Sequence, residues 1–405
     1  MPLSVDVREI APDPETVPRT LFMGSYPPRE CGIATFTADI VTNFDLLFAR
    51  GSEVIAIEEP DGAGRAYPAA VIARLRQDDH DSYAEIAAIV DAHPAEVLNI
   101  QHEYGLFGGE DGEWLLDLME RVTKPIVVSM HTVLPEPEDH FKLITQRMCK
   151  RANAVICLSL TGKTILADVY GVDESKIRVV HHGVPDVPFS TTDAAKASLG
   201  AGGRMLISTF GLISRGKGLE YAIDAMAQVV RRHPDALYLI LGETHPGVRR
   251  REGESYRESL HERVAALGLE NNVKLIDKYL EFDELVNYLA ATDIYLTPYL
   301  NPVQIVSGTL AYAVGCGKAV VSTPYLYAKE LLAHHRGFLA DFRDAGSLAS
   351  GILQLLDNPG LRRATERRAY RFGRRMTWQF VVSEYAKVFC EFAASTRRRE
   401  LVRLA

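Results

Sequence analysis

Four segments of this sequence hold residues whose types and spacing could do chemistry. In GLISRGKGLEYAIDAM (211–226) a glycine-bearing turn starts at Gly211, carries Arg215 and Lys217, and opens a helical pattern. A helix start offers free N–H groups and positive partial charge, and a lysine adds a full charge, so the segment suits a phosphate. A solvated strand-to-helix loop is the other reading of the same residues. In PYLNPVQIVSGTLAYAVGCGKAVVSTPY (298–325), Ser307, Gly308 and Thr309 open a helix of small residues. That start leaves amides for an anion, or is an ordinary serine cap on a buried helix. Two histidines follow apolar runs, His102 (with Glu103) in QHEYGLFGGEDGEW and His131 in SMHTVLPEPEDH, and His182 follows another in HHGVPDVPF. A histidine in such a place can hydrogen-bond sugar hydroxyls or steady leaving-group charge, or it can be structural. In GSYPPRECGIATFTADI (24–40), Gly32 and Ala34 would admit a ligand close to the backbone, with Arg29 and Glu30 in the same loop. A tight turn without a ligand fits that segment too, and it is not the GxGxxG of dinucleotide binding.

Other chemistries lack their signatures. There is no GxxxxGK[ST], GxSxG, HExxH or CxxC, and no cysteine–histidine set with zinc spacing. DDHD (78–81) reads as the cap of a following helix rather than a metal site. The sequence therefore predicts no metal and no resident cofactor.

The elements that must position these residues alternate in type. Short apolar runs predict strands at 20–24, 53–57, 97–101, 125–130, 154–158 and 177–180, with helices at 33–49, 82–92, 112–122, 138–151 and 160–170. A linker over 183–204, marked by Pro185, Pro188, Gly200, Gly202 and Gly203, ends this half. The pattern then resets, with strands at 205–210, 237–242, 273–276, 293–298, 319–322 and 337–340. Helices fit at 218–232, 254–268, 282–291, 308–316, 326–334, 345–357 and 360–371, and a last one at 377–395 follows Thr377 as N-cap. The fold class is α/β. Two facing, Rossmann-like, doubly wound domains would form a cleft at the carboxyl ends of their strands, where open α/β sheets bind ligands. The expected borders are 1–185, 186–376, and a C-terminal helix with its basic tail over 377–405.

Composition is consistent with this. The 405 residues are 47% hydrophobic and 24% charged, ordinary for globular chains of two or three domains. No run approaches the ~18–20 apolar residues of a membrane span, and the N-terminus lacks the layout of a signal peptide. Five cysteines without paired spacing read as reduced thiols of a cytoplasmic protein. The net charge of −8 divides into −16 over residues 1–360 and +8 over residues 361–405. The acidic body argues against nucleic acid as a partner. The arginines at 362, 363, 367, 368, 371, 374, 375, 397, 398, 399 and 403, with Lys142, Arg147, Lys150 and Arg151, either pair with that body, the preferred reading, or make a peripheral contact at the inner face of a membrane.

In order and wording the motifs resemble glycosyltransferase family 4, of the two-domain GT-B fold, over about residues 20–395. The Gly32 loop, His131, HHGVPD, the 211–218 turn and SGTLAYAVGCGKAVVSTP carry the resemblance, and QHEYGLFGG and LGETHP look like one bacterial branch of that family. The resemblance implies a nucleotide-sugar donor on the C-terminal domain, a sugar, glycan or lipid-linked acceptor on the N-terminal one, and a last helix that returns to the N-terminal domain. By position, Lys217 and Arg215 would neutralise the donor diphosphate, with Gly211 in their turn. Ser307, Gly308 and Thr309 would hold the same phosphates, and Gly32 would lie near them. His131 would contact the donor sugar and leaving-group charge. His102, Glu103, Arg29 and His182 are expected on the acceptor or sugar. The family's usual mechanism is retaining and metal-independent.

The chain also departs from the family pattern. Gln304 and Tyr312 stand where two glutamates are common, so that on the donor Gln304 would hydrogen-bond a sugar hydroxyl and Tyr312 pack on the ribose, and Leu212 stands where an arginine is common. The leading expectation is a hexosyltransferase using GDP-mannose or UDP-glucose, with a lean to mannose. A glycoside phosphorylase on the same fold, or a sugar-nucleotide-binding protein without turnover, are the alternatives.

Overall fold

The computed structural model describes residues 10–62 and 64–404, and for Asp61 and residues 394–404 the backbone alone. The chain divides into two units. The N-terminal unit holds the described residues up to Gly183 together with the helix that begins at Trp378, and the C-terminal unit is Val184–Thr377.

In the N-terminal unit the elements run β1 (Thr20–Gly24), α1 (Gly32–Phe48), β2 (Glu53–Glu58), β3 (Val71–Arg76), α2 (His80–Ala92), β4 (Val97–His102), α3 (Trp114–Arg121), β5 (Ile126–Met130), α4 (Asp139–Arg151), β6 (Ala154–Cys157), α5 (Leu160–Asp168) and β7 (Ile177–Val179). The strands form one parallel sheet in the order β3-β2-β1-β4-β5-β6-β7. Strand β3 has no counterpart among the expected strands. VIARLR alternates half-buried or buried residues (Val71, Ala73, Leu75) with exposed ones at the sheet edge, so it lacks the continuous apolar run of the central strands. Asp79 caps α2 by accepting from the Asp81 amide, the role expected of DDHD.

The C-terminal unit runs α6 (Asp193–Ser198), β8 (Met205–Phe210), α7 (Leu219–Arg232), β9 (Ala236–Leu241), α8 (Pro246–Glu252), α9 (Ser255–Ala266), β10 (Val273–Ile276), α10 (Phe282–Ala291), β11 (Ile294–Thr297), α11 (Gly308–Gly315), β12 (Ala319–Ser322), α12 (Leu326–Leu331), β13 (Phe338–Leu339), α13 (Ala345–Asp357) and α14 (Pro359–Gly373). Its parallel sheet has the order β10-β9-β8-β11-β12-β13. Alternate residues of the strands feed two separate cores. Ile207, Ile240, Leu296 and Val321 pack with α7, α9 and α13, whereas Leu206, Leu239, Tyr295 and Val320 pack with α11 and α12. The sheet is thus covered on both faces, as a parallel sheet requires. Two short helices, α6 and α8, are additions to the expected elements.

The last helix, α15 (Trp378–Leu404), runs well past the expected end at 395. Thr377 precedes it, but its hydroxyl donates back to Arg374 O at 3.3 Å instead of capping the helix. Val381, Val382, Tyr385 and Phe389 are fully buried in the N-terminal unit. Phe389 meets Phe22 of β1 and Phe44 of α1 at ring distances of 6.1 and 5.9 Å. Each such side chain stabilises by about 1.5–3 kcal/mol, which fastens α15 to the unit it joins.

Among the described residues no helix is long and apolar enough to cross a membrane. The five cysteines are free thiols. Of the late arginines, Arg362 and Arg363 pair with Glu366, and Arg374 pairs with Asp186. The side chains of Arg397, Arg398, Arg399 and Arg403 lie outside the described residues.

Candidate functional site

In each sheet the chain reverses its direction of travel once, between β1 and β4 and between β8 and β11. Open α/β sheets offer a crevice at the carboxyl ends of such strand pairs. Most residues singled out in the sequence gather at one or other of these two places.

In the C-terminal unit, Gly211 follows β8 with φ +118° and Gly242 follows β9 with φ +138°, conformations that side-chain-bearing residues rarely adopt. A methyl group on Gly242 would stand 2.3 Å from Gly211 O, so the second glycine is what lets the two turns touch. A methyl on Gly211 would stand 3.2 Å from Thr309 Cγ2 and 3.8 Å from Lys217 Nζ, which places Gly211, Lys217 and Thr309 around one small space. Arg215–Lys217 form a single tight turn before α7. Lys217 is half-buried. It donates to the Tyr299 hydroxyl at 2.7 Å, its ammonium lies 4.0 Å from the centre of that ring, and among the described residues it has no carboxylate partner. Tyr299 OH in turn lies 2.7 Å from Thr309 Oγ1. Ser307 caps α11 by accepting from the Leu310 amide at 3.3 Å. The Gly308 and Thr309 amides are among those a helix start leaves without an intrahelical acceptor.

Other expected members of this half differ. Arg215 is exposed and bonds Glu252 at 3.1 Å. Gln304 donates to Val306 O at 2.8 Å, and the ring of Tyr312 is buried against Phe210 at 6.3 Å. Tyr299 and His245 join the expected residues here, although both lie in segments with a visible motif. Tyr299 follows β11 in TPYLNP, the signal that could have found it. His245 sits after β9, its basicity lowered by burial and then by Arg251, Lys217 and Arg250.

The N-terminal unit ends its sheet differently. His131 retains 9% of its surface, and its Nε2 lies 2.9 Å from Gln101 Oε1. The edge of its ring meets Phe36 of α1 at 4.8 Å, and Phe36 also meets His182 at 5.0 Å and Trp378 at 5.2 Å. His182 Nδ1 lies 2.7 Å from Gly183 O. Burial holds His131 down to about 3, helped by the nearby His182 and His102, and holds His182 down to about 4. Both rings are neutral at physiological pH. His102 is fully buried between Phe107 and Tyr104, neither ring nitrogen has a hydrogen-bond partner, and burial lowers it to about 3. Its ring is thus sealed in the protein rather than open beside His131. Glu103 accepts from Thr132 Oγ1 at 2.6 Å and from the Tyr104 amide at 3.1 Å, with burial raising its carboxyl. Arg29 pairs with Glu59 at 3.2 Å. Gly32 begins α1 behind a Cys31 cap, and a methyl there would meet nothing, so no packing demand of the unit requires glycine at that position. Among the described residues no three histidine, cysteine or carboxylate side chains come together as metal ligands.

Known proteins resemble the chain over both of its units. The model for Glycosyltransferase Family 4 matches residues 45–186, and that for Glycosyl transferases group 1 matches residues 192–372. An uncharacterized glycosyltransferase of Methanocaldococcus jannaschii is 24% identical over 253 residues, 61% of either chain. A GDP-mannose-dependent monoacylated alpha-(1-6)-phosphatidylinositol monomannoside mannosyltransferase of Corynebacterium glutamicum is 30% identical over 153 residues, 36% of either chain. The matched stretches thus span under two thirds of these two relatives. The Anabaena HepE crystal structure with UDP and glucose superposes with a TM-score of 0.70 at 18% identity, covering 92% of this chain and 100% of that one. With both of its units matched by the family's models and its two parallel α/β sheets superposing on a solved fold of this type, the chain belongs to glycosyltransferase family 4 and has the GT-B fold.

Proposed function

We propose that this protein transfers a hexosyl group, mannosyl in preference to glucosyl, from a nucleotide-diphosphate sugar to a sugar, glycan or lipid-linked acceptor. The observation that carries the reading is Lys217, a half-buried ammonium without a carboxylate partner among the described residues, held by Tyr299 beside Gly211 and the start of α11. A diphosphate supplies the anion this arrangement lacks. Lys217 and the Gly308 and Thr309 amides would take its charge, which grows on the leaving oxygens as the bond to the sugar breaks. His131 would contact the transferred sugar. The acceptor oxygen forms its bond to the anomeric carbon on the face that the nucleoside diphosphate leaves, and its proton passes to a phosphate oxygen. Retention follows, with no protein nucleophile. The GDP-mannose dependence of the Corynebacterium relative supports mannose, and the UDP and glucose bound to HepE support the alternative. For a lipid-linked acceptor, Lys142 and Lys150 of α4 would face the anionic membrane surface.

The test is a thermal-shift screen of nucleoside diphosphates and their sugars, followed by turnover with each hit on an acceptor panel. A ligand at one hundred times its Kd stabilises by about 2.7 kcal/mol, so GDP or UDP is expected to raise the melting temperature. Sugar transfer should follow with the matching donor. Phosphate-dependent cleavage of a disaccharide without nucleotide, or nucleotide binding with neither transfer nor hydrolysis, would overturn the proposal.

A further inference from the structure

The orientation of His131 is set by a line of fully buried polar groups, none of them among the expected site residues. It starts at a backbone carbonyl, which can only accept. Asn99 Nδ2 donates to Val127 O at 3.0 Å, so Asn99 Oδ1 must be turned the other way, as an acceptor. Gln101 Nε2 donates to that oxygen at 2.6 Å, so Gln101 Oε1 is also an acceptor. That oxygen faces His131 Nε2 at 2.9 Å, and a neutral imidazole can meet it only with the proton on Nε2. Reversing either amide would oppose oxygen to oxygen in a dry interior, which is costly. Ser129 Oγ braces both amides, at 3.2 Å from Asn99 Nδ2 and 3.4 Å from Gln101 Nε2, and accepts from Tyr385 OH of α15 at 3.1 Å. Asn99, Gln101, Ser129 and Tyr385 are all 0% exposed. The missing side chain of Gly24 makes room, since a methyl there would stand 2.9 Å from Gln101 Cβ.

We infer that Asn99 and Gln101, braced by Ser129, are positioning residues that fix His131 as its Nε2–H tautomer. Nδ1, the ring nitrogen without a partner among the described residues, then meets the substrate as a hydrogen-bond acceptor. This rests on the proposal that His131 touches the transferred sugar, and it changes the chemistry expected there. A neutral acceptor nitrogen receives a hydrogen bond from a sugar hydroxyl. It repels a phosphate oxygen and has no proton to give a leaving group. His131 is therefore a reader of one donor hydroxyl, while leaving-group charge is left to groups elsewhere.

Long-range proton–nitrogen NMR on the nitrogen-15-labelled full chain tests the tautomer directly. At pH 7 the His131 signals of the ligand-free protein should show a single form, with Nε2 protonated and Nδ1 bare. A protonated Nδ1 or an equal mixture overturns the inference without any variant being made. Gln101→Met should mix the tautomers and lower kcat/KM for the nucleotide sugar by about tenfold, the worth of one hydrogen bond, while UDP and GDP affinities stay within twofold. A parallel loss of UDP or GDP affinity, or unchanged tautomers and turnover, overturns the positioning role. If the tautomer is single and no sugar donor is turned over, it is the proposed transfer that fails.

Discussion

The two sheets end in contrasting chemistry although both end at a strand reversal. The C-terminal sheet ends beside charge, with Lys217 and Arg215 half-buried or exposed in the turn before α7 and with glycines that keep the backbone bare. The N-terminal sheet ends in neutral, buried imidazoles ringed by Phe36, Phe107 and Trp378. An anion is bound where a cation and free amides stay solvated until the ligand arrives. A hydroxyl is read where a polar atom has been made scarce and rigid. Under the proposed function, that difference gives phosphate to one sheet end and sugar to the other.

The sharpest way to break this contrast is a pair of truncations. Lys217→Ala should cut turnover by about 10²–10³-fold, as loss of a group that stabilises transition-state charge does, and should weaken UDP or GDP binding in titration calorimetry. His131→Ala should also remove most turnover yet leave nucleoside diphosphate affinity unchanged. Equal losses of nucleotide affinity in both variants would erase the division of labour.

The next effect is on stability and follows from the sign of the histidine shifts. His102 and His131 are held down to about 3 and His182 to about 4, against an ordinary 6.5. The unfolded chain therefore takes up protons below pH 6.5 that the folded N-terminal unit refuses, so stability is fully present above that pH and falls as pH falls. For His102 and His131 together the loss reaches on the order of 4 kcal/mol by pH 5, or roughly 8–16 °C in melting temperature. Glu103, raised by burial, works in the opposite direction. In the C-terminal unit Glu254, lowered by Thr244 and Arg249, contributes a loss only at still lower pH. Both tryptophans, Trp114 and Trp378, belong to the N-terminal unit, so tryptophan fluorescence melts at pH 7 and pH 5 isolate it. A transition that does not move would show that these rings are not held neutral.

How much of this the sequence disclosed depended on which groups face the core. Central strands were legible because Ile, Val and Leu run unbroken through them, and the turns were legible through glycine. Strand β3 was hidden because its edge position leaves arginines on it. Helix α8 was hidden because GVRRRE has a single buried side chain, Val248. The His131 pocket was half legible. Histidine after a strand is conspicuous, but Asn99, Gln101 and Ser129 lie inside runs read as apolar, VLNIQ and IVVSM. Their signal was there, two polar residues two positions apart on one face of a buried strand, and only the pairing of β4 with β5, which sets Gln101 opposite Ser129, gives it meaning. His102 shows the reverse error, since adjacency to Gln101 in sequence puts it on the other face of the same strand.

The smallest effect compares the helices that open at the two strand reversals. Ser307 caps α11 with a hydroxyl, whereas Cys31 caps α1 with a thiol that accepts from the Ala34 amide at 3.3 Å and lies 3.2 Å from Ser25 Oγ. A hydroxyl oxygen is the stronger acceptor. Ser307→Ala should therefore cost about 1 kcal/mol, a fall of about 2–4 °C, in the transition of the C-terminal unit. Cys31→Ala should cost less than half as much in the transition reported by tryptophan. Calorimetry, with fluorescence to tell the units apart, resolves the two. A larger loss at Cys31 would mean that its thiol holds the Gly32 loop in place, and the bare space over Gly32 would then be part of the cap's design rather than room for a ligand.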